Sequence, residues 1–116
     1  MESITKRFSV RRLCDLEKER STCGYRQRVF SQGDETPAFM HVVRISESKT
    51  HYHKRATEFY YVLEGEGTMT VDGETFPLSP GTVVKLDPGS IHSSVGDLLV
   101  LVIGIPDIGE DDLFFP

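Results

Sequence analysis

The stretch HYHKRATEFYYVLEGEG, residues 51–67, decides how this chain is read. Side chains alternate faces along a strand, so His51 and His53 share a face and Tyr52 takes the other. Glu58 follows His53 by five positions, an odd offset that an unbroken strand would send to the wrong face. If KRAT (54–57) is a hairpin loop, the conflict disappears. His53 then faces Glu58 across the turn, His51 faces Tyr60 and Lys49 faces Val62, with partners about 5 Å apart at Cβ. Two imidazoles and one carboxylate converge, a donor set that suits a divalent transition metal such as Fe, Mn, Ni, Zn or Cu. The competing reading is a strand with two chance surface histidines. HxH alone is a weak signal. Glu58 strengthens the metal reading, and so does His92, which follows the turn LDPGSIH (86–92) at the start of another short strand. His41, in FMHVVRI, reads as a packed or hydrogen-bonded strand histidine.

Outward from this stretch, short β-rich segments recur between turn signals. They are YRQRVF (25–30), FMHVVRIS (39–46), KTHYH (49–53), EFYYVLEG (58–65), GTMTVDGETFPL (67–78), SPGTVVKLDPG (79–89), IHSSVG (91–96) and DLLVLVIGI (97–105). Asp72-Gly73 is a two-residue hairpin signal. Six to nine short strands at this spacing predict an all-β antiparallel sandwich or barrel. VRRLCDLEKERS (10–21) offers one helical turn or a short helix. The tail PDIGEDDLFFP (106–116) is too acidic and proline-bounded for a central strand, and its Leu113, Phe114 and Phe115 need an apolar surface of this chain or of a neighbouring subunit.

The chain has 116 residues, 38% hydrophobic and 27% charged, which fits one globular domain over 1–116. Its net charge of −5 argues against a nucleic-acid partner. The basic residues gathered near the start (Lys6, Arg7, Arg11, Arg12, Lys18, Arg20, Arg26, Arg28) are interleaved with acidic ones and read as a solvated face. No apolar run approaches the ~18 residues of a membrane span, and MESITKRFSV lacks a signal-peptide core. A cytoplasmic location is expected, with Cys14 and Cys23 as reduced thiols outside any CxxC pattern.

The motifs resemble those of the cupins, small barrels built as a double-stranded β-helix. The first cupin motif is matched by His51, His53, Glu58 and Gly65, without its leading glycine, near whose place Ser46 stands. The second is matched by Gly81, Gly89 and His92, with Asp87 at the motif's proline (Pro88 lies beside it) and Gly96 at its asparagine. The motifs lie within 51–96, leaving an N-terminal extension of about 1–24 and a C-terminal tail of about 106–116. The resemblance implies His51, His53, Glu58 and His92 as ligands of one divalent transition metal (Fe, Mn, Ni or Zn), and it implies the jelly-roll-like barrel.

Four protein ligands leave about two open positions on an octahedral ion, so the expected function is metal-dependent catalysis on a small organic molecule, of oxygenase or isomerase type. The alternatives are a non-catalytic module that binds or senses an organic acid or sugar through the metal, and a closed structural zinc. Face alternation makes Tyr60 either a barrel-packing residue or the candidate catalytic neighbour, and Lys49 a solvated strand end before an anion contact, with Val62, Val84 and Leu86 as apolar walls and Glu64 and Glu66 in solvent at a turn. No further carboxylate and no Ser or Cys nucleophile falls on that inferred face. The apolar segment 97–105 and the LFF tail exceed what a small barrel buries, so a homodimer is expected.

Overall fold

The computed structural model describes residues 7–116; Lys6 and the beginning of the N-terminal extension lie outside them. The fold is an all-β antiparallel barrel. Seven strands, β1 (Glu19–Ser21), β2 (Gly24–Phe30), β3 (Phe39–Glu47), β4 (Thr57–Val71), β5 (Glu74–Leu78), β6 (Val83–Leu86) and β7 (His92–Ile105), form one sheet. Their order is β1-β2-β3-β7-β4-β5, with β6 also paired to β4.

Alternation decides which face turns inward. Along β4, Glu58, Tyr60 and Val62 are buried while Phe59, Tyr61 and Leu63 are exposed. Val43, Ile45, Leu98, Val100 and Val102 fill the same interior from β3 and β7. Removing such side chains from water stabilises the fold by roughly 1.5–3 kcal/mol each. The segments expected separately at 58–65 and 67–78 merge into the long β4 and its hairpin partner β5. Asp72 (φ 48°) and Gly73 (φ 88°) make that hairpin turn, both at positive φ as a type I′ turn requires. A register shift between Val62 and Glu64 keeps β4 on β7 past Gly65, whose φ of 87° and contact with the Asp97 backbone leave no space for a Cβ. Glu64 and Glu66 are exposed as expected, but inside β4 rather than at a turn.

The hairpin expected between 49–53 and 58–62 does not form. Both edges of β4 at Glu58 are taken, by Leu86 of β6 and Gly104 of β7. Residues 49–53 make only two isolated bridges, His51 with His92 and Tyr52 with Phe114. The KRAT segment is a loop whose backbone donors are satisfied elsewhere. The Asp112 carboxylate accepts from the N–H groups of Lys54 (2.9 Å), Arg55 (3.1 Å) and Ala56 (2.9 Å). Near the start, 10–21 gives one 3-10 turn at Leu13–Asp15 and then β1. The tail folds back on its own chain, with Phe114 stacked on Tyr52 at 5.5 Å between ring centroids.

Candidate metal centre

Three elements bring three histidines to one point and set Glu58 beside two of them. The segment before β4 carries His51 and His53, β4 carries Glu58, and β7 opens with His92. The ligating nitrogens of His51, His53 and His92 lie within 4.8 Å of one another. Oε1 of Glu58 stands 3.2 Å from His53 Nε2 and 3.6 Å from His92 Nε2. Tight turns set these positions. Gly89, in the Asp87-Pro88-Gly89 turn, has φ 89° and donates its N–H to the His53 carbonyl at 2.6 Å. Asp72 accepts the Ile91 N–H at 2.8 Å, pinning the residue before His92.

The outer nitrogen of each ring is committed. Nδ1 of His51 bonds the Lys49 carbonyl (2.6 Å), Nδ1 of His53 the Asp112 carbonyl (2.8 Å) and Nδ1 of His92 the Ser90 carbonyl (3.0 Å). A carbonyl only accepts, so each Nδ1 holds a proton, and in the neutral ring Nε2 keeps its lone pair for the centre. Metal-binding histidines are held in this way. Nε2 of His53, Nε2 of His92 and Oε1 of Glu58 are buried and find no hydrogen-bond partner among the described residues. Acceptors packed against acceptors repel unless a cation sits between them. The donor set therefore fits a divalent transition metal.

The charge balance agrees. Burial pushes the His51 pKa down to about 4, with His92 adding to the effect, and burial likewise lowers His92. Burial disfavours charge on His53 as well, but the negative charge of Glu58, 3.2 Å away, outweighs it and raises its pKa. Burial would raise the Glu58 pKa, yet His53, His92 and His51 together hold it below the ordinary carboxylate range.

The centre borders a cavity of about 540 Å³. His51, His53, Glu58 and Tyr60 line it, as do Val43, Ile45 and Val102. Tyr60 is buried, and burial with the nearby Glu58 lifts its pKa well above 10, so its phenol stays protonated. Lys49 is exposed and outside the cavity, its Nζ 4.6 Å from the Phe115 ring centroid. Val62 and Leu86 are buried and Val84 partly buried in the core, so none of them forms the cavity wall. His41 does line the cavity, with its pKa lowered to about 4 by burial and by Arg26 and Arg28. The sequence reading missed Cys23, Arg26 and Arg28 on the β2 side, and Asp107, Glu110 and Asp112 on the tail. Alternation in YRQRVF does put Arg26 and Arg28 on one face, but not which one. Cys14 and Cys23 are free thiols, and burial raises Cys23 to about 12.

Comparison with known proteins agrees with this fold. The family model described as Cupin domain matches residues 38–97. Quercetin 2,3-dioxygenase of Bacillus subtilis is 42% identical over 43 residues, 37% of this chain and 13% of that enzyme. Glucose-6-phosphate isomerase of Thermococcus gammatolerans is 40% identical over 75 residues, 55% of this chain and 40% of that enzyme. A crystal structure of a protein from Planctomyces limnophilus superposes with a TM-score of 0.86 at 27% identity, over 92% of this chain and 96% of that one. The chain spans about half or less of the length of the curated relatives it matches.

Proposed function

The chain belongs to the cupin domain family, and from that premise we propose that it is a metal-dependent enzyme acting on a small organic molecule, with chemistry of oxygenase or isomerase type. The observation that carries this reading is the set of bare acceptors, Nε2 of His53 and His92 with Oε1 of Glu58, beside a cavity of small-molecule size. His51, His53, Glu58 and His92 would hold the ion. Once bound, it supplies Lewis acidity toward substrate oxygens or, if iron, oxygen activation. Resemblance to a dioxygenase and to an isomerase over part of the chain supports the enzyme reading without choosing between the two.

The chain's own residues orient the substrate and handle its protons. Protonated Tyr60 offers an O–H donor at the cavity surface next to His92, ring centroids 6.2 Å apart. It steadies negative charge that develops on a substrate oxygen. His41 is neutral at pH 7 and open to the cavity, so its ring is available to hydrogen-bond the substrate. Val43, Ile45 and Val102 exclude water around the reacting atoms. The cavity beside the donors disfavours a purely structural zinc.

Metal analysis of the purified protein tests the reading, followed by His51→Ala and Glu58→Gln. We expect about one equivalent of a transition metal in the wild type and its loss in both variants. Once a turnover assay exists, activity that survives complete metal removal would sink the proposal.

A further inference from the structure

Arg26 and Arg28 project from the same face of β2 into the cavity that holds the imidazoles. Glu19 of β1 bridges them: Arg26 Nε donates to Oε1 at 3.3 Å and Arg28 Nη2 to Oε2 at 2.7 Å. A guanidinium carries five N–H donors, so one carboxylate leaves most of the ten unused. Their side chains are 23% and 48% exposed, accessible but held in place by Glu19. His41 lies opposite Arg28 in the β2–β3 ladder and lines the same wall.

The acidic tail opposes this wall. Asp107 and Glu110 also line the cavity, and Asp107 acts on Arg28 by charge alone. Glu110 approaches Arg26 Nη2 at 3.9 Å, with its side chain 82% exposed. That contact is long and solvent-screened, so the carboxylate can leave at little cost. Glu19 is a fixed support, whereas Glu110 is a displaceable occupant. A planar fork with a loosely held carboxylate in front of it is a receptor for another oxyanion, because guanidinium binds carboxylate and phosphate with paired N–H donors.

Resting on the metal reading above, we infer that Arg26 and Arg28 form an oxyanion anchor, so that the substrate carries a metal-chelating oxygen pair and a separate carboxylate or phosphate. The ion takes the first group and the β2 wall takes the second. Glu110 keeps the anchor charge-balanced until substrate arrives.

Calorimetric titration of the manganese-loaded protein tests the anchor with three probes: lactate, malate and 3-phosphoglycerate. All three present an α-hydroxycarboxylate; malate adds a distal carboxylate and 3-phosphoglycerate a distal phosphate. We expect one or both of the latter to bind at least about tenfold more tightly than lactate, the margin of a charge-assisted hydrogen-bonded pair. The tighter of the two names the distal group. Arg26→Gln and Arg28→Gln should erase the margin while manganese and lactate binding stay as in the wild type. Glu110→Gln, on an exposed side chain, should widen the margin, an effect that a merely structural arginine would not produce. No margin in the wild type, or a margin that persists in both arginine variants, overturns the anchor. A wild type that takes up none of manganese, iron(II), nickel and zinc overturns the metal reading instead. The metal-free chain then decides the anchor: arginine-dependent binding of 3-phosphoglycerate or malate sustains it, and no such binding ends it.

Discussion

At the scale of single residues, Glu58 separates metal binding from stability. Its carboxylate is buried, and Oε1 faces the bare Nε2 of His53 at 3.2 Å. Burying a charge beside an acceptor costs stability unless a cation answers it. Glu58→Gln keeps the shape, removes the charge and gives His53 an amide donor. Thermal melts of the metal-free variant should therefore show stability equal to or above that of the wild type, while metal uptake falls. A clearly destabilised metal-free Glu58→Gln would mean that the carboxylate is bound as a structural ion pair. His41 gives a pH prediction. Its folded pKa is about 4 against an ordinary 6.5, so the unfolded chain takes up the proton first. Stability from this residue is intact above pH 6.5 and is lost as pH falls from there toward 4, with a slope of at most about 1.4 kcal/mol per pH unit. Denaturant titrations across that range should show a shallower decline for His41→Gln. Local spacing alone could not separate His41, Arg26 and Arg28 from ordinary surface or core positions. Their role depends on the β2–β3 wall enclosing the same cavity as His51, and that is a tertiary fact.

At the scale of elements, spacing pointed to side chains that do lie together but read the backbone pairing badly. HxH, the offset to Glu58 and the turn before His92 were legible because each is a local pattern. The hairpin at KRAT was not, because β6 and β7 compete for the edges of β4 and win. What holds the loop is Asp112, more than fifty residues away, and no local pattern announces such a partner. Its backbone carbonyl fixes the His53 ring while its carboxylate collects three loop N–H groups. Those hydrogen bonds hold the Asp112 pKa down against burial. The tail is thus part of the candidate metal centre. Asp112→Ala leaves three loop N–H donors without their partner, and the buried one on Ala56 costs about 1–3 kcal/mol where water cannot reach it. We expect a lower melting temperature and metal affinity reduced about 10–100-fold, since outer-shell partners of ligating histidines carry effects of that size. Asp112→Asn retains an acceptor and should fall between. Unchanged metal affinity in Asp112→Ala would show that the tail only covers the site.

At the scale of the whole molecule, the outer face of the barrel carries the last prediction. Alternation buries Tyr60 and Val62 and in the same stroke sends Phe59, Tyr61 and Leu63 outward. The ladders extend this into a patch, since Phe59 neighbours Ile103 and Tyr61 neighbours Leu101 and Val83. Val83 is 64% exposed, Ile105 47% and Tyr61 44%. The excess apolar character of 97–105 is explained by this second face: Leu98, Val100 and Val102 supply the core, while Leu101 and Ile103 stay half-buried outside. A contiguous apolar sheet face of this kind marks an association surface. A stable dimer needs roughly 800 Å² from each partner, about a tenth of this chain's 7539 Å² of accessible surface. We propose that two copies pack through this face, and the wild type should elute at about twice its 13.1 kDa mass. Val83→Glu tests the face directly. The residue is exposed in the single chain, so the change costs the isolated fold little, whereas a dimer would have to bury the new carboxylate without a partner. The variant should elute as a folded monomer with its metal retained, because Val83 lies outside the metal cavity. A monomeric wild type, or a Val83→Glu that remains dimeric, would remove this face from consideration.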